Sequence, residues 1–436
     1  MRGIHRGRLA RDIAEVALAG PWRQEPLVRR FIASFAPAPP WMFDLAQALI
    51  QQHPATDFSI DALAAIVRHH PILRHGLRCA APPQRRQSTR PAITPSRLAL
   101  PSLPVLADLP ALAPWLELEP GEMIWLADTF GQETRRPDGP QRHYRYRWLA
   151  REYGPDRVIE MPRLRLREVQ RRIHTGLLRH VPLHAAAQGF VRGRSALTHA
   201  RLHVGAAWVL RLDLAQFFCH VTAPRVRGVF ELLGYSAPVA RMLAALCTNR
   251  VPGDVLQSAP HALAWSQRQN LREAHLPQGA PTSPALANLV SFGLDVRLAA
   301  LARKHGATYS RYADDLTFSS ATWTRAAAAR CARTASEIAA ECGFVVNPRK
   351  TLLMGAQHAQ VVTGVVVNRH PNLARRDYDR LKAIVHNCLR LGPAAQNHAE
   401  HPNFRAWLHG SLAQAAAINP AKTAPLLRDF ARIRWD

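Results

Sequence analysis

Two adjacent aspartates, Asp314 and Asp315, are the residues whose types and spacing most directly suggest chemistry in this sequence. Short runs rich in β-forming residues flank the pair, so the sequence predicts a tight hairpin with both aspartates at its tip. Carboxylates held close together on a rigid turn suit a divalent metal ion, which prefers hard oxygen ligands. Aspartate is also a common turn residue without a chemical role, so the pair needs partners elsewhere in the chain.

A third aspartate, Asp213, ends an apolar run that is typical of a buried strand. A carboxylate there is unfavourable unless it binds a metal or a strong hydrogen-bond donor. Two-metal phosphoryl transfer needs a few carboxylates that hold two divalent ions about 3.5–4 Å apart. We therefore predict a site for two Mg²⁺ ions, with Mn²⁺ as a substitute, in which Asp213 and Asp314 are the main ligands. Asp315 is predicted to support this metal site or to position the primer end.

The residues after the buried strand and a later proline-rich loop predict a nucleotide pocket. Phe218, with Phe217 beside it, is expected to lie under the sugar of the incoming nucleotide. A bulky ring in that place excludes a 2′-hydroxyl and therefore selects deoxynucleotides. Gln278 and Gly279, in the loop 276–284, offer a polar side chain and bare backbone where a nucleotide approaches closely.

Two basic residues, Arg157 and Lys350, are predicted to neutralise the charge of the triphosphate. Arg157 begins the second strand of a predicted hairpin, formed by 144–149 and 157–160, that carries several arginines. Its charged face is either a solvated strand surface or a basic finger over a triphosphate or template. We favour the finger interpretation for this chain.

The charge balance of the whole chain points to a polyanionic partner. The 57 Lys and Arg against 31 Asp and Glu give a net charge of +26, and nucleic acid is the obvious polyanion, although a coding bias toward Arg and Ala contributes too. The 6 cysteines are scattered without a CxxC pair, which predicts reduced thiols rather than disulfides or a zinc site. Neither a signal peptide nor a membrane span is expected, so we predict a soluble, cytoplasmic protein without a membrane partner.

The pattern along the chain predicts a helical segment over 1–77, a linker rich in Pro and Arg over 78–105, and a basic helical tail over 369–436. The tail has 11 Lys and Arg against 5 Asp and Glu, which suits a nucleic-acid duplex, although such a face is often only solvated. A polar loop is expected over 251–275 and a hairpin over 360–368. Helices are predicted over 164–183, 224–234, 238–248, from Ser283 as N-cap to about 303, and over 324–341, 376–391 and 403–418.

His199 and His203 are spaced as the two histidines of an HExxH zinc site, and both are expected to lie in one short helix capped by Ser195. Ala200 occupies the position of the glutamate, so the general base of that chemistry is missing. Packing or contact with RNA is therefore the favoured role for both rings.

The order of the motifs resembles that of reverse transcriptases, specifically the bacterial retron type. The resemblance covers roughly 106–436. Val362, Thr363 and Gly364 match the VTG motif of retrons, and 199–203 is similar to their NAxxH motif, with His199 where Asn is usual. The motifs that carry the resemblance are FVRGRS, LDLAQFF, LPQGAPTSPALAN, YADD, GFVVNPRK and VTG.

The resemblance implies an α+β right-hand polymerase fold, with fingers and palm over 106–368 and a helical thumb over 369–436. It also implies an RNA-directed DNA polymerase whose template and primer are one structured non-coding RNA. Deoxynucleotides are its substrates, and the product is an RNA–DNA hybrid that matures to branched, single-stranded DNA (msDNA). Retrons commonly act in antiphage defence together with an effector protein. Candidate RNA contacts are His199, His203, Val362, Thr363, Gly364, Arg375, Arg376, Arg380 and Lys382.

Two alternatives remain at the level of the sequence. One is a reverse transcriptase of another bacterial lineage, group II intron-like or diversity-generating. The other is a non-catalytic RNA-binding scaffold on the same fold, against which the intact set of three aspartates argues.

Overall fold

The structure is a computed structural model that describes residues 2–18, 22–36, 39–53, 58–79, 84–85, 103–129, 131–150 and 156–435. Contacts divide the chain into two compact units, each built from several stretches of sequence. The first unit comprises Met1–Pro182, Gln216–Val290 and Ala339–Val345. The second unit comprises Leu183–Ala215, Ser291–Ile338 and Val346–Asp436. The four predicted regions remain predictions, and most of the linker predicted over 78–105 lies outside the described residues.

Helices and antiparallel strands together confirm the predicted α+β class. The helices are α1 Arg2–Leu18, α2 Gln24–Ser34, α3 Trp41–Gln52, α4 Ile60–His69, α5 Pro71–Cys79, α6 Leu109–Trp115, α7 Pro120–Ala127, α8 Leu164–Gly176, α9 Ala196–Arg201, α10 Ala223–Leu232, α11 Ala237–Cys247, α12 Gly253–Gln257, α13 Trp265–Arg272, α14 Ser283–Val290, α15 Phe292–Lys304, α16 Arg325–Glu341, α17 Arg375–Leu391, α18 Phe404–Ile418 and α19 Pro420–Ala431. The strands are β1 Phe35–Ala36, β2 Gln84–Arg85, β3 Tyr144–Leu149, β4 Arg157–Pro162, β5 Trp208–Ala215, β6 Thr308–Tyr312, β7 Asp315–Ser320, β8 Val345–Val346, β9 Leu352–Gly355, β10 Val361–Val362 and β11 Val365–Val366.

The N-terminal helices α1 to α5 form a hydrophobic core of their own within the first unit, and helices account for most of the described residues in this part of the chain. Apolar residues recur at helical spacing, so each helix buries one stripe against its neighbours. Ser59 caps α4 by accepting a hydrogen bond from the Ala62 amide at 3.0 Å. Fully buried members of this core include Phe31, Met42, Leu45, Leu49 and Leu63.

In the remainder of the first unit, the predicted basic hairpin forms as β3 and β4, an antiparallel pair in which Leu149 faces Arg157. The loop expected over 251–275 is a wrong prediction, because it contains α12 and α13. These helices are short and mainly polar, so they lack the long apolar stripe that would reveal a helix in the sequence.

A five-stranded sheet in the second unit carries all three aspartates, with the order β6-β7-β5-β8 and β9 pairing with β5 as well. β5 runs antiparallel to β7, and β7 runs antiparallel to β6. Every residue of β7 is buried, which explains why this strand lacks the alternation of a half-exposed strand. The sheet therefore fixes the relative positions of its strands at the end where the aspartates lie.

The single helix predicted from Ser283 to about 303 is wrong, because Ser291 separates α14 from α15. Ser283 is the first helical residue rather than an N-cap, and its hydroxyl donates to the Pro277 carbonyl at 2.7 Å. In the part of the chain that the structure describes, no single helix is long and apolar enough to span a membrane. α14 and α15 meet that length and composition only as a bent pair.

The C-terminal helices α17, α18 and α19 share a separate core that includes Val385, Leu408, Leu412 and Leu426. The helices predicted over 376–391 and 403–418 are confirmed. α19 was not predicted because prolines normally signal helix ends. Pro420 lies in its first turn, where proline is tolerated, and Pro425 lies inside it.

Candidate active site

The predicted hairpin that carries the aspartates is confirmed. Tyr312 pairs with Asp315 across β6 and β7, which leaves Ala313 and Asp314 as the two-residue turn. Residues 312–315 are called the aspartate turn below. Ala313 has a φ of 56°, in the left-handed region that two-residue hairpins require but that disfavours residues other than glycine. Asp314 is thus presented at the tip, while Asp315 begins β7.

The strand register brings Asp213 next to the aspartate turn. Asp213 on β5 lies directly opposite Asp315 on β7, so both side chains point to the same face of the sheet. The Leu214 amide donates to the Asp314 carbonyl at 2.8 Å, which ties the turn to β5. Backbone pairing therefore brings Asp213 beside the adjacent pair Asp314 and Asp315, which is about 100 residues away in sequence.

Their mutual repulsion shows in the electrostatics of Asp315. Burial, and then the charges of Asp314 and Asp213, raise the pKa of Asp315 to about 7, against the opposing effect of Arg211. Arg211 Nε lies 2.7 Å from Asp315 Oδ2 and forms an ion pair with it. Asp315 Oδ1 is buried and has no hydrogen-bond partner within the described part of the chain.

Lys350 neutralises the second carboxylate. Its Nζ donates to both oxygens of Asp213, at 3.0 Å and 3.2 Å, from a short 3₁₀ turn over 348–350. The Asn347 amide donates to the Asp213 carbonyl at 2.7 Å and so fixes that turn beside β5. The sequence prediction placed Lys350 against a triphosphate, whereas here its ammonium lies on Asp213.

The donor set of the three aspartates fits a divalent ion. Among the residues that the structure describes, no three His, Cys, Asp or Glu side chains form a ready-made metal cage. Mg²⁺ is usually held by one or two carboxylates together with substrate phosphates and water, so a cage of protein ligands alone is not required. The buried oxygen of Asp315 that has no hydrogen-bond partner, together with the carboxylates of Asp213 and Asp314, offers hard oxygen donors of the kind that a divalent cation prefers.

Within the first unit, the predicted sugar gate is part of an aromatic stack. Phe217 is buried, and its ring centroid lies 5.6 Å from that of Phe218 and 5.5 Å from that of Phe344. The Arg225 guanidinium lies 4.3 Å from the centroid of Phe344, over its ring. Phe218 itself is only half-buried, so its ring is held from one side by this stack.

The predicted nucleotide loop packs against β4 in the same unit. The Glu160 amide donates to the Gln278 carbonyl at 2.9 Å, and a Cβ on Gly279 would lie 2.8 Å from the Glu160 carbonyl oxygen. The buried Glu160 carboxylate is hydrogen-bonded to His275 Nε2 at 3.0 Å and to Asn249 Nδ2 at 2.8 Å. Burial alone would lower the pKa of His275, but the Glu160 carboxylate raises it. Only glycine fits at position 279, because the backbone of Glu160 lies so close. Arg157 lies on the same strand, three residues before Glu160.

Comparisons with known proteins place the chain in a family. Residues 152–367 match the family model described as "Reverse transcriptase (RNA-dependent DNA polymerase)". The chain is 40% identical over 304 residues to the retron Mx65 reverse transcriptase of Myxococcus xanthus, covering 67% of this chain and 65% of that protein. It is 32% identical over 270 residues to the retron Ec86 reverse transcriptase of Escherichia coli, covering 61% of this chain and 75% of that protein.

The chain belongs to the retron reverse transcriptase family. The family resemblance predicted from the motifs is therefore confirmed. The matched part covers 65% of the length of the Mx65 protein. It covers 66% of the length of a second similar protein, the retron Mx162 reverse transcriptase of Myxococcus xanthus. Among solved structures it is similar to "the foamy viral protease-reverse transcriptase dRH in complex with ds DNA", with a TM-score of 0.32 and 16% identity over 69% of this chain and 45% of that one.

In this retron reverse transcriptase, the two motif histidines lie inside the second unit. His203 is 1% exposed, and its two ring nitrogens are each 2.7 Å from a serine hydroxyl, that of Ser319 and that of Ser310. His199 is 0% exposed and stacks on Tyr312 with ring centroids 5.7 Å apart. Burial lowers the pKa of His203 to about 3 and that of His199 to about 4, so both rings are neutral.

Neither side chain reaches the surface in this conformation, which favours packing over direct RNA contact as their role, and the RNA contact stays a prediction. The prediction that both lie in one helix is wrong, because α9 ends at Arg201. The Ser195 cap is confirmed, with its hydroxyl accepting from the Thr198 amide at 3.2 Å.

The VTG motif forms the turn of the predicted hairpin between β10 and β11. Val362 is fully buried, and its predicted RNA contact stays a prediction. Thr363 and Gly364 both have positive φ, 46° and 82°, and the Thr363 hydroxyl donates to the Ala196 carbonyl at 2.9 Å. Gly364 is exposed, so it is the motif residue that is accessible from solvent.

The candidate RNA-contacting cations of α17 all lie on its solvent side. Their side chains are exposed, which leaves them accessible to a phosphate backbone. One of them also forms an ion pair along the helix, between Arg375 Nε and Asp379 Oδ2 at 3.5 Å. The exposed set is Arg375, Arg376, Arg380 and Lys382.

Gly189 is a site residue that the sequence did not reveal. The Gln188 amide donates to the Arg311 carbonyl at 2.7 Å, so this segment runs beside the aspartate turn. A Cβ on Gly189 would lie 2.6 Å from the Ala313 amide nitrogen, a distance that real contacts do not show. Glycine is therefore required at position 189 by close packing against the aspartate turn.

We expect Gly189→Ala to displace the aspartate turn and to lower the rate of primer extension by roughly 10²-fold, because misplacing catalytic groups by about 1 Å has that effect. Gly293→Ala on α15 is the matched control, since a Cβ there meets nothing within 4 Å. Wild-type rates in Gly189→Ala, measured beside this control, would contradict the packing argument.

The raised pKa of Asp315 predicts a pH-dependent gain of stability in Asp315→Asn. An ordinary aspartate ionises near pH 4, whereas Asp315 in the folded protein has a pKa of about 7. The native state therefore holds an extra proton between these values, and the wild type loses stability as pH rises through this window. Asn cannot ionise, so the variant should melt a few degrees higher at pH 8 in EDTA and show little gain at pH 4. An equal melting difference at both pH values would contradict the prediction.

Proposed function

We propose that this chain is an RNA-directed DNA polymerase of retron type, which copies a structured non-coding RNA into branched single-stranded DNA (msDNA). The observation that carries the proposal is the gathering of Asp213, Asp314 and Asp315 by the register of β5, β7 and the aspartate turn. Membership of the retron family supports the choice of template and product class. Deoxynucleotides, the RNA and the growing RNA–DNA hybrid are the proposed substrates. An effector protein and antiphage defence follow from the family alone.

Asp213 and Asp314 are the proposed metal ligands, and Asp315 completes the site with its buried, orphaned oxygen. Two divalent ions, when bound, would activate the attacking hydroxyl and stabilise the leaving pyrophosphate. Lys350 forms an ion pair with the Asp213 carboxylate, and the lysine side chain is 46% exposed. That exposure leaves room for the ammonium to turn toward a triphosphate once a metal replaces it on Asp213.

The nucleotide is proposed to meet residues of the first unit. Phe218 acts as the sugar gate and is braced by Phe217, while Gln278 and Gly279 provide the loop that approaches the nucleotide. Arg157, at the start of β4, is the proposed partner of the triphosphate. The exposed cations of α17 are proposed to contact the RNA or the hybrid through phosphates, so that binding should weaken as salt is raised.

Asp314→Asn should abolish Mg²⁺-dependent extension of a primed RNA template with labelled deoxynucleotides, lowering the rate by about 10²-fold or more. The amide keeps the shape of the side chain but cannot ligate a cation as a carboxylate does. Asp138→Asn, at an exposed aspartate of the first unit, is the control and should keep the wild-type rate. Absence of extension by the wild type, or full activity of Asp314→Asn, would favour the non-catalytic scaffold instead.

Phe218→Ala should admit ribonucleotides, because removal of the ring leaves space for a 2′-hydroxyl. The measurement is the ratio of kcat/KM for a deoxynucleotide to that for the matching ribonucleotide. Phe217→Leu is the comparison, since it removes the ring that packs against Phe218 but leaves the ring of Phe218 in place. Unchanged sugar selectivity in Phe218→Ala would show that the gate lies elsewhere.

A further inference from the structure

A fully buried ion pair lies behind the aspartate turn. Arg311 on β6 and Asp295 on α15 both have 0% exposed side chains. Arg311 Nε donates to Asp295 Oδ1 at 2.8 Å, and Nη2 donates to Asp295 Oδ2 at 2.6 Å, which makes the pair bidentate. The Tyr309 hydroxyl donates to Asp295 Oδ1 at 2.8 Å as well. The Asp295 carboxylate thus accepts three hydrogen bonds, all from residues of β6.

Stability alone does not account for this pair. Removing two charges from water has a penalty that their attraction in the interior barely offsets, and hydrophobic residues of similar volume often replace such pairs without loss of stability. The presence of charge in this buried place therefore needs a reason other than stability. A further hydrogen bond suggests that reason, because Arg311 Nη1 donates to the carbonyl oxygen of Ala313 at 3.2 Å.

Ala313 is the residue of the turn that needs outside support. Its φ of 56° lies in the left-handed region, which is unfavourable for a residue that carries a side chain. Such a conformation persists only where the surroundings over-determine it. The Arg311 guanidinium is fixed by its ion pair with Asp295 and donates a hydrogen bond to the carbonyl of Ala313. It therefore restrains the peptide group that joins Ala313 to Asp314.

We propose that Asp295 and Arg311 are positioning residues that lock the strained aspartate turn and thereby set where the Asp314 carboxylate points. The inference rests on the proposed function, and it assigns a role to a helix, α15, that carries none of the predicted site residues. Neither side chain touches substrate. Their removal should therefore change the rate and the metal requirement, while the affinity for RNA and the KM for nucleotides stay unchanged.

The test replaces both charges at once, so that no unpaired charge is left in the interior. In Asp295→Leu/Arg311→Met we expect a melting temperature close to that of the wild type and unchanged binding of the primed RNA. We expect kcat for primer extension to fall roughly 10-fold to 100-fold. The Mg²⁺ concentration for half-maximal rate should rise. The control is Arg227→Gln/Glu231→Gln, which removes a more exposed ion pair of 3.2 Å in the first unit and should change neither quantity.

A rescue variant separates positioning from general structural damage. Ala313→Gly in the double-variant background removes the penalty of positive φ, so it should recover part of the lost rate. A protein that is only damaged elsewhere would gain nothing from this change. Wild-type kcat and Mg²⁺ dependence in the double variant, or a rate loss that Ala313→Gly leaves untouched, would overturn the proposal.

The proposed function and this inference fail in different ways. If the wild type extends no primer, the polymerase proposal falls, and the affinity for Mn²⁺, followed by electron paramagnetic resonance, becomes the readout for the turn. Weaker Mn²⁺ binding in the double variant than in the wild type would then support positioning. Equal Mn²⁺ binding in both would contradict it.

Discussion

Repulsion among three carboxylates is the constraint on which the rest of the second unit depends. The register places Asp213 opposite Asp315, and the pKa of Asp315 is raised first by its burial and further by the charges of Asp314 and Asp213. Arg211 and Lys350 each offset the charge of one carboxylate, Asp315 and Asp213 respectively. Packing of a hydrophobic core alone would not require these charged side chains to lie beside one another.

The layer behind the aspartates is also polar, and many of its groups are paired, although both ring nitrogens of His199 and Thr317 Oγ1 have no hydrogen-bond partner among the described residues. His203 bonds to serines of both β6 and β7 through a ring that burial keeps neutral. Arg311 connects α15 to the turn in the same layer. A satisfied buried network of this kind fixes one strand register, because any slip would leave several polar groups unpaired. Strand register in turn decides which carboxylates meet.

Much of this arrangement could be predicted from sequence, and the misses have physical causes. The hairpin and the strand before Asp213 are local patterns, so they were predicted from their own residues. Burial of His199 and His203 was not, since spacing along a helix does not say which neighbours cover it. The break at Ser291 is accompanied only by Gly293, and an isolated glycine is compatible with a continuous helical pattern. The pairing of Asp295 with Arg311 depends on how a helix packs behind the turn, which local patterns do not contain.

The most direct test of the central claim is the number and coupling of Mn²⁺ ions bound by the protein with primed RNA and a non-hydrolysable deoxynucleotide. Electron paramagnetic resonance reports both quantities. The account predicts two ions with spectra broadened by their mutual coupling, and loss of that coupled signal in Asp213→Asn. An unchanged coupled signal in Asp213→Asn would place the ions elsewhere and contradict the account.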